Sequence, residues 1–185
     1  MRLPWHRVTT AWAVSLAVML LLLPGCIIIR ITDHRIKFNK DGSGEGMIRL
    51  VDMRTDARTD SAALGDFATL IASFNKDSVT DFERKGRKIT SKQLFVHGDT
   101  LIAEVAYIFP SMDAVEGIHS RGDEIFVVVG QDREVVRTNG RVTSWKDSNS
   151  RIVWEKDTKR LQYVIREKVL PPTRSLAAFY VKYGR

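Results

Sequence analysis

Few side chains of this 185-residue chain stand at spacings that could do chemistry. Beyond residue 26 the histidines are His34, His97 and His119, and none is paired at a metal-ligand spacing. No serine occupies a Gly-x-Ser-x-Gly elbow, so no nucleophile–base pair is proposed by the sequence. Asn39-x-Asp41-Gly42-x-Gly44 resembles the centre of a calcium loop, but that register puts Lys37 at its first position and Ile48 at its last. Without the opening Asp and the closing bidentate Glu an oxygen shell cannot close, and a tight hairpin turn is expected instead. Asp52, Asp56 and Asp60 recur every four residues, which would stack them on a helix as a cation site. Arg54 and Arg58 alternate with them, and a charge-balanced, solvated segment is the simpler expectation. Neither catalytic residues nor a metal or cofactor is expected. What remains is a single thiol, Cys26, which excludes an internal disulfide and a cysteine-cluster zinc site.

The context of that thiol is specific. Arg2 and Arg7 form a short positive start, and Ala11 to Leu23 form an apolar core of signal-peptide length. Leu23-Pro24-Gly25-Cys26 then resembles a bacterial lipobox: an aliphatic residue, a small residue before the cut, and the modified Cys. A thiol is required because diacylglycerol is attached as a thioether before cleavage. The apolar core falls short of the roughly twenty residues of a membrane span, and Pro24-Gly25 would break one. Residues 1–25 are therefore expected to be a lipoprotein signal peptide that is removed. Residues 26–185 would be one exported domain anchored at Cys26 in the cell envelope. Ile27 and Ile28 follow the Cys where an inner-membrane retention signal would carry Asp, which favours the outer membrane in a host that has one.

Charge is uneven in the exported part. Residues 26–132 hold 14 basic and 17 acidic side chains, whereas 133–185 hold 13 and 5. Arg133, Arg137, Arg141 and Lys146, with the later Arg151, Lys156, Lys159 and Arg160, are candidates for contact with anionic lipid headgroups or acidic glycans. They would equally serve as solvent-facing positions that blunt strand edges. Nucleic acid is not expected as a partner of an exported lipoprotein. Trp154 lies on an apolar face with Ile152, whereas Trp145 lies between Ser144 and Lys146 in a polar loop.

The elements that must position these residues are mostly strands. Alternation places a hairpin at 31–38 and 46–53 around the Asn39–Gly44 turn, and a second at 88–97 and 100–109, turning at Gly98-Asp99. Between them Leu64, Phe67, Ala68, Ile71 and Phe74 predict a helix over 61–75, capped by Asp60 or Ser61. Pro110 ends a strand and Ser111 is expected to cap a short helix through Ile118. The run 125–129 reads as a central strand, and 151–156 with 160–168 as a third hairpin turning at Asp157-Thr158-Lys159. Residues 174–183 fit a helix or a strand. The expected class is α+β: an antiparallel, hairpin-rich sheet with one main helix and one or two short ones.

Three further segments occur in order: Lys40-Asp41-Gly42-Ser43-Gly44-Glu45-Gly46, Tyr107-Ile108-Phe109-Pro110-Ser111-Met112-Asp113, and Thr138-Asn139-Gly140-Arg141-Val142 leading to Arg151-Ile152-Val153-Trp154. With the lipobox they resemble the LppM-type domain of bacterial envelope lipoproteins over most of residues 26–168. The resemblance implies an α+β fold and a non-catalytic domain that contacts lipids or glycolipids, with no catalytic residues to carry over. The expected function is accordingly a lipid-anchored binding or scaffolding module, or else a protein-interaction subunit of an envelope assembly. An envelope hydrolase is a weaker reading.

Overall fold

A computed structural model describes residues 26–75, 80–83 and 85–184. The strands are β1 (Ile27–Phe38), β2 (Gly44–Thr55), β3 (Lys88–His97), β4 (Thr100–Phe109), β5 (Ile118–Arg121), β6 (Glu124–Val129), β7 (Arg133–Thr138), β8 (Arg141–Ser144), β9 (Ser150–Glu155), β10 (Arg160–Glu167) and β11 (Arg174–Ser175). The helices are α1 (Asp60–Asn75), the single turn α2 (Thr80–Glu83) and α3 (Ala177–Tyr183). One antiparallel sheet runs β3-β4-β2-β1-β10-β7, with β11 pairing on the end of β2, and a smaller one runs β5-β6-β9-β8. The fold is α+β.

The turn formers at 39–44 close the first hairpin through their own side chains. Asp41 Oδ1 accepts from Ser43 N at 3.1 Å and Ser43 Oγ at 2.7 Å, and Gly42 supplies a left-handed φ of 85°. Gly98, at φ 62°, turns β3 into β4. Alternation along β4 then serves two cores. Tyr107 and Phe109 pack with Ile36, Phe38, Leu161 and Tyr163 against Ile125, Val127, Ile152 and Trp154 of the small sheet. Leu101 and Ala103, on the same face, pack with Met53 against Phe67 of α1 and Leu176 and Ala177 at α3. Leu50 and Met53 both reach this second core although they are three apart, which an unbroken strand would forbid. Asp52 between them sits at φ 60° and re-aims the strand.

Several expectations are corrected. The third hairpin does not form. β9 pairs with β6 and β8 in the small sheet, whereas β10 pairs with β1 and β7 in the large one. The Asp157-Thr158-Lys159 segment is thus a crossover between sheets. The α1 cap is Thr59, whose Oγ1 accepts from Ala62 N at 3.2 Å. The expected face of the helix packs inward at Phe67, Ile71 and Phe74, but Leu64 is 38% exposed and Ala68 is exposed, while Asp66 is 3% exposed and accepts from Thr55 Oγ1. Past Ser111 there is a single 3-10 turn, Met112–Ala114, and Gly117 at φ 77° leads straight into β5. Residues 177–183 resolve as helix, with Tyr180 Oη donating to Leu94 O at 2.6 Å.

Candidate functional site

Cys26 is exposed and stands one residue before β1, so no linker separates the thiol from the sheet. Its backbone N–H donates to Asp56 Oδ1 at 2.6 Å, and Asp56 N donates to Cys26 O at 3.4 Å. Cys26 is thus held against the end of β2. Leu23, Pro24 and Gly25 and the rest of the expected signal peptide lie outside the described residues.

A hollow of about 530 Å³ lies at the far end of β1, on the face of the large sheet turned away from both cores. It is walled by Arg35 and Lys37 of β1, Glu45 and Met47 of β2, Ala106 and Ile108 of β4, and Arg160 and Gln162 of β10. Register brings them together: Lys37 lies opposite Glu45 and Arg160, and Arg35 opposite Met47 and Gln162. Lys37 Nζ donates to Glu45 Oε1 at 2.8 Å, and that bond, with the ammonium charge, holds the Glu45 carboxyl below its ordinary range. Glu45 therefore stays ionised near neutral pH and has no proton to donate. Arg35 reaches Asp33 at 3.0 Å, and Arg160 has no ion-pair partner within 4 Å among the described residues. Three cations against two carboxylates, Glu45 on Lys37 and Asp33 on Arg35, leave a net positive charge beside Met47, Ala106 and Ile108, which suits an anionic group carried on an apolar body. Of these residues the sequence reading singled out only Arg160; the available signal was Arg35 and Lys37 two apart on one strand, which puts both on one face.

The four basic candidates do not meet at one mouth. Arg133 pairs with Glu167 at 2.8 Å beside the start of β1. Arg137 lies 3.9 Å from Asp33 in a second depression, and Arg141 lies 3.4 Å from Glu124 in a third. Lys146 stands in the 3-10 turn between β8 and β9. They lie on two sheets, and the three arginines each face a carboxylate.

The remaining chemical residues are dispersed. His34 stacks on Tyr163 with ring centroids 4.5 Å apart, and burial pushes its pKa down to about 4, so the imidazole is neutral at ordinary pH. His97 ends β3 and His119 lies on β5. Asp52 pairs with Arg54 at 3.1 Å, Asp56 holds Cys26, and Asp60 pairs with Arg174 at 2.5 Å, so the three do not stack. Trp154 is buried, and Trp145 packs beside Phe126 with the Arg151 guanidinium 4.6 Å over its ring. Among the described residues no cluster of His, Cys, Asp or Glu could hold a metal, and no helix is long and apolar enough to cross a membrane.

No family model matches the chain, and comparison with curated proteins and with solved structures gives no match either.

Proposed function

We propose that this protein is a lipid-anchored, non-catalytic binding module of the bacterial cell envelope, held through Cys26 and taking an anionic lipid or glycolipid in the hollow around Arg35, Lys37 and Arg160. The observation that carries this reading is the position of Cys26: an exposed thiol directly after the lipobox-like Leu23-Pro24-Gly25, with the folded sheet beginning at the next residue. Acyl chains on that thiol confine the domain to a surface, where effective concentration makes weak contacts count. The hollow supplies positive charge next to apolar side chains, the pairing an acidic amphiphile needs.

Fractionation of cells expressing the full chain tests the anchor. The membrane-bound protein should carry a mass beginning at Cys26 plus diacylglycerol, and Cys26→Ser should leave the membrane or stay unprocessed. A Cys26→Ser protein cleaved and membrane-bound as before would overturn the anchor. Native mass spectrometry of the extracted protein tests the hollow. A co-purified anionic lipid or glycolipid that is lost in Arg35→Glu/Arg160→Glu is expected; a bare polypeptide, or a ligand indifferent to that change, would move the reading to a protein partner.

A further inference from the structure

We infer that the apolar rim beside Cys26 is a bilayer-contact surface that fixes the domain's orientation and holds the ligand hollow away from the membrane. This rests on the anchor reading above. The rim is a shallow depression of about 420 Å³ with Ile27, Ile28 and Ile29 from the start of β1 and Val169, Leu170 and Pro171 from the segment after β10 on its apolar side, and Thr32 and the Arg133–Glu167 ion pair on its polar side; Ile27 and Ile29 also pack against the second core. Val169 is 84% exposed, the most of the large apolar side chains among the described residues, ahead of Val181 at 64%. An apolar patch of this kind, contiguous with the exported chain's first residue, needs an occupant. The bilayer is the one whose place is fixed covalently, because acyl chains on Cys26 must enter it within one residue of Ile27.

Charge supports the same occupant. Lys168, next to Val169, donates only to the Gln131 carbonyl, and Arg58, two residues beyond the Asp56 that holds Cys26, is exposed; neither has an acidic partner within 4 Å among the described residues. Unpaired cations flanking an apolar rim match a surface of anionic headgroups over hydrocarbon. The hollow at Arg35–Lys37 lies about eight residues along β1 from the rim at Ile27–Ile29, a distance of about 25 Å at the usual rise of a strand. A domain seated on the rim therefore presents the hollow beyond the headgroup layer. Its ligand would be met on the far side from the bilayer that anchors the protein.

The test uses the full-length protein, extracted and returned to vesicles of phosphatidylethanolamine and phosphatidylglycerol. Val169→Cys and, at the tip of the β1–β2 hairpin, Lys40→Cys each receive an environment-sensitive dye, and doxyl lipids are added as quenchers. An acylated Cys26 has no thiol, so each variant should take one dye. The Val169→Cys signal should lose most of its intensity to the quencher and the Lys40→Cys signal almost none. One dye per chain with equal quenching at both positions would overturn the orientation while leaving the anchor standing. One dye at Val169→Cys that is shielded yet untouched by doxyl lipids would overturn it in favour of a second copy covering the rim. Two dyes per chain would show a free Cys26 and remove the anchor reading together with this inference.

Discussion

Trp154 Nε1 donates to Asn139 Oδ1 at 2.8 Å, and through that bond the two sheets are tied at the point where the chain crosses between them. Asn139 lies in the β7–β8 crossover and Trp154 on β9, just before the β9–β10 crossover. The same Oδ1 accepts from Gln162 N at 2.9 Å, and Nδ2 donates to Arg160 O at 2.8 Å. One side chain thus satisfies groups on the small sheet and on β10 of the large sheet. Gly140 lets the crossover lie on the indole, since a Cβ there would stand 2.6 Å from Trp154 Cε2.

Asn139→Ala removes three hydrogen bonds and leaves a buried indole N–H without an acceptor. A loss of about 3 kcal/mol is expected, read as a lower urea midpoint at unchanged slope. Asn139→Asp keeps the acceptor for the indole but sets a carboxylate oxygen against the Arg160 carbonyl in place of the Nδ2 donor, and should recover only part of it. An unchanged midpoint in Asn139→Ala would show that the packed core alone joins the sheets.

Two glycines should respond with opposite sign. A Cβ at Gly46 would lie 2.3 Å from Tyr107 Cζ, so Gly46→Ala must displace a buried ring, at a cost of about 2 kcal/mol. Paired with Tyr107→Leu the combined loss should be smaller than the sum of the single ones, because the clash is gone. Gly65, exposed on α1, has open space around it, and Gly65→Ala should stabilise by about 0.5–1 kcal/mol. Thermal midpoints of the four variants decide both claims.

His34 makes stability fall with acid. Its folded pKa of about 4 lies below the unfolded value of 6.5, so the unfolded chain binds the proton more readily. The contribution is complete above pH 6.5, declines as pH falls towards 4, and is constant below that; it amounts to on the order of 3 kcal/mol. His34→Phe should flatten the urea midpoint between pH 6.5 and 5, before carboxylates titrate. A wild type equally flat over that range would sink the claim.

Thr55 orients the main helix. Its hydroxyl donates to the buried Asp66 of α1 and accepts from Ala57 N at 3.0 Å. Thr55→Val leaves both groups without a partner at nearly constant volume and should cost about 2 kcal/mol, while Thr55→Ser should restore most of it. Faster hydrogen exchange in α1 of Thr55→Val, with the small sheet unaffected, would locate the damage.

The residues from 88 to 109 carried their own structure. Alternation, Gly98-Asp99 and Pro110 define β3 and β4 to the residue, because a short hairpin closes through local contacts and local turn chemistry. Strand partners were not legible in the sequence. Residues 151–155 and 160–167 alternate as a hairpin would, but alternation specifies which face is buried, not which strand donates the next hydrogen bond. Only the packed sheets send β9 and β10 to different neighbours. Leu64 and Asp66 make the same point on α1: apolarity favoured Leu64 inside, and Thr55, eleven residues before Asp66, turned the carboxylate inward instead. The hollow was illegible for a related reason. Arg35, Glu45, Ile108 and Arg160 come from four strands, and their adjacency exists only in the register of the finished sheet.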